Sequence, residues 1–287
     1  MTMKPTTYDI LMIQRGYYEK FLQAEASVAE VLMAGTMNPS DADESRNPAP
    51  EVLSIQDNVA VVSISGMLTN RHSWANKYLG LVAYERINQA IMYAMEQDVK
   101  AVVFYFDTPG GKVNGVAETA DLISNIPVKT FSYAGGSMCS AGYFLGCQAD
   151  YVFADMMAMV GSIGVIMEFY DYSGFLKERK IKPVRFRSGN LKGAGSPAFS
   201  LTKEEIAHIQ GIVTSMADNF YQIVMDARGI DMAVMKARDI PSGKEFIGEQ
   251  AVHAILIDGV KPFGEVMTQA IEEAEKHLTN TSQMLYG

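Results

Sequence analysis

Ser140 lies within Tyr133 to Asp150, Y-A-G-G-S-M-C-S-A-G-Y-F-L-G-C-Q-A-D, with Gly135 and Gly136 before it and Ala141 and Gly142 after it. Small neighbours let a backbone turn sharply and let a carbonyl approach a hydroxyl, and a helix starting there aims free N–H groups at a developing oxyanion. That setting suits a serine nucleophile; it also suits a serine that only caps a buried helix. A nucleophilic serine needs a base. The four histidines, His72, His208, His253 and His277, match no metal-ligand spacing, and no G-x-S-x-G turn surrounds Ser140, which disfavours a Ser-His-Asp triad. The other route is a lysine amine held neutral by an apolar site. Lys192, in the Gly- and Ser-rich loop Ser188 to Ser200, reads either as that base or as an exposed loop lysine. The turn Asp107-Thr-Pro-Gly-Gly offers the N–H groups of Gly110 and Gly111 to an oxyanion, or is a plain strand-to-helix turn. Cys139 is an alternative nucleophile, but no histidine lies near it in sequence to generate a thiolate.

The elements that must position these residues follow a βαβ rhythm. Asn58 to Gly66, Lys100 to Phe106, Val128 to Tyr133 and Asp150 to Ala154 are short β-branched and aromatic runs that read as buried strands. Tyr84 to Glu96 places Ile87, Ala90, Ile91, Ala94 and Met95 on one helical face, and Gly115 to Asn125 does the same with Val116, Ala120 and Ile123. The alternation predicts a parallel sheet covered by helices, with ligands at the carboxyl ends of the strands, where D-T-P-G-G and the Ser140 turn both fall. After V-G-S-I-G-V at Val160 to Val165 come an amphipathic stretch to Arg179 and a strand-like Lys182 to Arg187. A capping box at Thr202 and Glu205 then opens a long helix striped by Ile206, Ile209, Val213, Met216, Phe220 and Val224, a core face or a subunit interface. The chain divides into residues 1–50, a helical arm with no strand pattern followed by a Pro/Ser/acid-rich linker; residues 51–264, the main domain; and residues 265–287, a charged helix and tail.

With 48% hydrophobic and 20% charged residues over 287 positions, the chain can bury a large core. A net charge of −9, with no Lys/Arg cluster long enough to track phosphates, excludes nucleic acid as a partner. The apolar run Ile10 to Ile13 is too short for a signal-peptide core or a membrane span, so a cytoplasmic protein without membrane contact is expected. Cys139 and Cys147 read as reduced, packed thiols, the 19 methionines as core packing, and no motif for a cofactor or metal stands out.

D-T-P-G-G at Asp107 to Gly111, G-S-M-C-S-A-G-Y at Gly136 to Tyr143, V-G-S-I-G-V at Val160 to Val165 and S-G-N-L-K-G-A-G at Ser188 to Gly195 occur in the order seen in signal peptide peptidase A. The chain resembles that serine peptidase family over Val52 to Val260, and in particular its tailed-phage head maturation branch. The resemblance implies a Clp/crotonase-like α/β fold with repeated βαβ units and a C-terminal helical region. It implies Ser140 as nucleophile, Lys192 as base and Gly110 and Gly111 as oxyanion contributors, with Gly161, Ser162, Ile163 and Gly164 beside the substrate cleft. It further implies an endopeptidase acting in the host cytoplasm on scaffold and head proteins of a procapsid, self-cleavage included. Such proteins form homo-oligomeric rings in which serine and lysine can come from adjacent subunits. Met138 and Cys139 stand where the family commonly has alanines, which alters the expected pocket. The alternatives are a bacterial cytoplasmic peptidase clearing signal-peptide remnants, a non-catalytic scaffold or assembly protein of the same fold, and a crotonase-type acyl-CoA enzyme, which would use carboxylates in place of Lys192.

Overall fold

A computed structural model of the chain describes the backbone of Leu11–Ile13 together with residues 51–73 and 76–286. Leu11–Ile13 is strand β1. Leu53–Gln56 (β2) and Val59–Ser65 (β3) form a hairpin whose turn residues, Asp57 and Asn58, both have positive φ (52° and 60°), the twist that suits two-residue hairpins. Next come Met67–Thr69 (β4), Asn76–Leu79 (α1), Leu81–Ala83 (β5), Tyr84–Glu96 (α2), Ala101–Thr108 (β6), Gly110–Lys112 (β7) and Val116–Ser124 (α3). Lys129–Cys139 (β8), Ala141–Gly146 (α4), Tyr151–Ala154 (β9) and Met159–Gly161 (β10) follow. A long irregular strap, interrupted by Ser173–Glu178 (α5), leads to Lys203–Arg228 (α6), Met232–Ala237 (α7), Glu245–Ile247 (β11), Glu249–His253 (α8), Gly259–Val260 (β12) and Phe263–Tyr286 (α9).

The main sheet has the order β11-β10-β8-β6-β3-β2, with β9 beside β8 and β12 beside β9. Strands β3, β6, β8 and β10 are parallel, as the βαβ alternation requires. The length of β8 serves two neighbours: Phe131 to Ala134 pair with β9, and Ser137 to Cys139 pair with β10. A smaller sheet, β1-β7-β4-β5, stands beside the carboxyl end of β6.

Period-two alternation along β6 sends Val102, Phe104 and Phe106 to one face and Ala101 and Val103 to the other. The first set packs under Ile87, Ala90, Ile91 and Ala94 of α2 and Val116, Ala120 and Ile123 of α3. The second packs with Phe131 and Tyr133 under Val266, Ala270 and Ala274 of α9. The charged C-terminal helix therefore closes the second face of the sheet through one small-residue stripe.

Three expectations change. Lys182 to Arg187 is not a strand: Pro183 lacks a donor, Val184 and Phe186 are 69% and 94% exposed, and the segment pairs with no strand among the described residues. The stripe of α6 is core only at its C-terminal end, where Phe220 and Val224 are fully buried; Ile206 is 52% exposed. The segment 1–34 does hold a strand, since Leu11, Met12 and Ile13 pair antiparallel with Lys112, Gly111 and Gly110. The rest of residues 1–50 lies outside the described residues.

Candidate functional site

The site is built where β8 runs past the end of β6. Register passes from Phe106↔Ala134 to Thr108↔Met138, so Gly135, Gly136 and Ser137 bulge opposite Asp107 alone. Glycine is needed there: a Cβ at Gly135 would sit 2.1 Å from the Tyr105 hydroxyl and one at Gly136 2.4 Å from Asp107 Oδ1. Asp107 Oδ1 accepts hydrogen bonds from the Ser137 N–H (3.1 Å) and hydroxyl (3.2 Å), which pins the bulge. Asp107 and Ser137 both lie within motifs quoted from the sequence, but nothing in their spacing assigns them this contact.

Ser140 follows directly, between β8 and α4, at φ 52° and ψ −117°. A non-glycine residue in that region is strained, and such strain persists only where the surroundings fix it. Here its N–H donates to Gly161 O (2.7 Å) and its C=O accepts from Phe144 N (2.9 Å). The hydroxyl makes one long contact, donating to Gly164 O at 3.5 Å. The residue is 1% exposed. Gly142 lets α4 press on β6: a Cβ there would lie 2.5 Å from Thr108 Cγ2.

The D-T-P-G-G segment is more than a turn, since its glycines form β7. Gly110 has φ 103°, and a Cβ on Gly111 would lie 2.0 Å from Leu68 O, so only glycine allows β7 to pack against β4. The Gly110 N–H donates to Thr108 Oγ1 at 3.2 Å.

Gly161 and Ser162 are consecutive left-handed residues (φ 117° and 51°), and Ser162 N–H donates to Lys244 O at 2.9 Å. Ile163 is buried, whereas a Cβ added at Gly164 would meet no atom within 4 Å. Ser162, Gly164, Val165 and Ile166 form one wall of a cleft of about 510 Å³; α6 supplies the other through residues including Val213, Ala217, Asp218 and Tyr221. Sequence reasoning missed this second wall because Val213 belongs to a stripe that reads equally well as core, and Ala217, Asp218 and Tyr221 lie beside that stripe with no distinctive spacing.

Lys192 stands apart. It is exposed in a run of turns, its N–H donates to Gly189 O (3.1 Å), and among the described residues its amine makes no hydrogen bond or ion pair, Ser140 included. The loop that carries it is clasped at its far end by Ser200, which donates to Asp171 Oδ2 (2.7 Å), while Asp171 Oδ1 accepts from Ser173 N (2.8 Å). The Ser173 and Ser200 hydrogen bonds hold the Asp171 carboxyl below its ordinary range. Among the described residues no histidine bonds Ser140. Cys139 is fully buried, and burial pushes its thiol far above the ordinary cysteine range, so it supplies no thiolate. Both cysteines are free thiols.

No helix among the described residues is long and apolar enough to cross a membrane. Residues 121–278 match the family profile described as Peptidase family S49, and residues 56–160 match that of Clp protease, in agreement with the parallel α/β architecture. A relative in Enterococcus faecium that carries the name signal peptide peptidase SppA is 29% identical over 67% of this chain and 55% of its own length. The capsid assembly protease C of Escherichia phage lambda is 27% identical over 71% of this chain and 46% of its own. The head-tail preconnector protein GP5 of Enterobacteria phage P21 is 25% identical over 74% and 42%. The chain spans about half the length of the curated relatives it matches. With more than half of its residues matched by that profile, and a serine turn, glycine strand and cleft wall at the carboxyl ends of parallel strands, the chain belongs to peptidase family S49.

Proposed function

We propose that the chain is a serine endopeptidase with Ser140 as nucleophile and Lys192 as general base. The observation that carries this reading is the strained, small-residue strand-to-helix turn at Ser140, whose hydroxyl has one long partner, Gly164 O, on the wall of an open cleft. Ser140 Oγ attacks the peptide carbonyl as its proton passes to Lys192 Nζ. The carbonyl oxygen becomes an oxyanion held by the N–H groups of Gly110 and Gly111, with Gly110 releasing Thr108 Oγ1 to do so. Lys192 then protonates the leaving amine. Water, deprotonated by the same amine, hydrolyses the acyl-enzyme and regenerates the serine. The peptide lies along Gly161, Ser162, Ile163 and Gly164.

Lys192 is exposed in a single copy of the chain, whereas a lysine base needs an enclosing, apolar site. Enclosure against Ser140 of an adjacent subunit in a homo-oligomer supplies one, because desolvation lowers an amine pKa. The phage relatives named for capsid assembly and head-tail connection support scaffold and head proteins of a procapsid as substrates, in the host cytoplasm. The SppA-named relative supports a second substrate class, signal-peptide remnants.

The test is fluorophosphonate labelling of wild type, Ser140→Ala and Lys192→Ala, read by intact mass beside cleavage of an unfolded protein and of short apolar peptides. Wild type is expected to label and cleave, and each variant to fold and lose at least ~10³-fold in rate. Equal behaviour of all three, with folding and assembly intact, overturns the peptidase reading in favour of a non-catalytic assembly protein.

A further inference from the structure

The cleft beside the serine turn holds a single charge. On α6, Gln210, Val213, Thr214, Ala217, Asp218 and Tyr221 recur at the ordinary helical intervals of three and four residues, which puts all six on the face that lines the cleft of about 510 Å³. Val165 and Ile166 stand on the other wall, and Pro241, Ser242 and Gly243 complete the lining. Among the described residues Asp218 is the one charged side chain in that lining, and no basic group shares it. Gly164 lies on the same wall as Val165, and its carbonyl oxygen is the partner of the Ser140 hydroxyl, which ties the cleft to the serine.

The carboxylate is unspent. Asp218 makes no hydrogen bond or ion pair among the described residues, whereas on the same helix Glu205 meets Arg187 at 2.8 Å and Asp226 accepts from Gln222 Nε2 at 2.8 Å. Lys244, whose carbonyl accepts the Ser162 N–H at the cleft wall, turns its ammonium to Asp239 at 3.0 Å and over the Phe246 ring. Tyr221, one helical turn after Asp218, is fixed by its hydroxyl, which donates to Pro241 O at 3.3 Å. Burial, and then the charge of Asp218, push its phenol above the ordinary tyrosine range, so the carboxylate stands close to the ring. A peptide laid along Val165, Ile166, Val213 and Ala217 strips water from Asp218, and a carboxylate that loses water without gaining a cation is destabilised. A neutral side chain leaves that cost in place, an acidic one adds repulsion, and a guanidinium or ammonium removes it.

We propose that Asp218 forms a specificity subsite, which selects an extended peptide carrying one arginine or lysine among apolar and small residues. The basic head bonds the carboxylate while its alkyl stem lies against Val213 and the Tyr221 ring. The place of this subsite in catalysis rests on the peptidase reading; the binding preference requires only the cleft.

The experiment uses peptides of one apolar sequence that carry Arg, Gln or Glu at each position in turn. Binding to Ser140→Ala is read by fluorescence anisotropy, and cleavage by wild type is read as kcat/KM. Both are repeated with Asp218→Asn, Asp218→Lys and, on the outer side of α6, Asp226→Asn, with thermal melts as folding controls. At one position Arg is expected to bind about fivefold or more tighter than Gln, the upper end of what a partly exposed ion pair supplies, with Glu weaker than Gln. The preference is expected to shrink at about 1 M NaCl, to vanish in Asp218→Asn, to reverse toward Glu in Asp218→Lys and to persist in Asp226→Asn. Wild-type kcat/KM is expected in the same order as binding. Equal binding of Arg and Gln at every position, no binding of any peptide, or an Arg preference that survives in folded Asp218→Asn would each overturn the subsite; if Asp218→Lys does not fold, Asp218→Asn alone decides. A preference intact in Ser140→Ala, beside a wild type that neither cleaves nor takes the fluorophosphonate, would sink the peptidase reading and leave the subsite standing.

Discussion

Ser140 Oγ donates to Gly164 O at 3.5 Å, a contact at the outer limit of hydrogen bonding. It joins the turn after β8 to the wall after β10, and it is the hydroxyl's one tie. A hydroxyl held so loosely is easily redirected to a base or a carbonyl, whereas its backbone is locked through Gly161 O and Phe144 N. The lock holds Ser140 at φ 52°, where a Cβ is a liability. Ser140→Ala and Ser140→Gly should both be inactive. Ser140→Gly should nevertheless be the more stable by about 1 kcal/mol, or roughly 2–4 °C, because glycine accepts that conformation. Thermal melts of the two variants check this, and equal melting temperatures would remove the strain argument.

Gly142→Ala places a methyl 2.5 Å from Thr108 Cγ2, and overpacking of that kind costs about 1–3 kcal/mol. Thr108→Ser deletes the offending carbon and keeps the hydroxyl that receives Gly110 N–H. The double variant should therefore recover most of the lost stability, a coupling that a double-mutant cycle reads directly. Additive effects would show that α4 is spaced from β6 by something other than this contact.

The strands and the first helices were legible because periodicity reports burial directly. Val59 to Ser65, Tyr84 to Glu96 and Ala101 to Thr108 fall where their patterns put them. The capping box at Thr202 and Glu205 is likewise present, with both reciprocal hydrogen bonds made. Backbone-level features were less legible. Gly110 and Gly111 looked like a turn because glycine is a turn residue, but their bareness serves the close pass of β7 by Leu68. Val184 and Phe186 looked like a strand because residue type cannot tell a side chain buried by its own chain from one exposed to solvent. Ser140 was found from its small neighbours, which are local. Whether Lys192 serves it depends on a distance that local pattern does not encode.

Glu205 closes the capping box and also meets Arg187 at 2.8 Å. The Thr202 backbone N–H, and then the Arg187 guanidinium, hold its carboxyl below the ordinary range. A depressed carboxyl stabilises the fold fully above its unfolded pKa, about 4.3, and that contribution is lost as pH falls through the lower folded value. Glu205→Gln keeps an N3 side chain able to accept the Thr202 N–H but removes the charge. Wild type should melt above Glu205→Gln at pH 7, and the gap should narrow as pH drops below about 4. A gap that persists at pH 3 would mean that the ion pairs with Arg185 and Arg187 are not its source.

Cys139 sits next to Ser140 in sequence but points into the core, and its Sγ contacts Met159 O at 3.5 Å. Burial raises its thiol, and it pushes Cys147 up to about 12. Neither thiol should react with iodoacetamide in the native protein, and both should react after unfolding. Cys139→Ala should keep the hydrolase activity ascribed to Ser140. Native alkylation that abolishes activity would return Cys139 to candidacy.

Gly161 and Gly164 separate support from substrate contact. At Gly161, φ is 117° and a Cβ would lie 3.0 Å from Lys244 O, so Gly161→Ala should destabilise the β10–β11 edge whatever the protein does. A Cβ added at Gly164 would meet no atom within 4 Å and φ is not left-handed, so Gly164→Ala should leave stability within about 0.5 kcal/mol of wild type. Yet its carbonyl partners Ser140 Oγ and its bare face opens on the cleft. A peptide lying there would meet the added methyl, and kcat/KM should fall about tenfold or more. Unchanged kcat/KM in a stable Gly164→Ala variant would move the peptide to another wall, toward Val213, Ala217 and Tyr221 of α6. Loss of stability at Gly164 would instead make that residue part of the scaffold that holds Ser140.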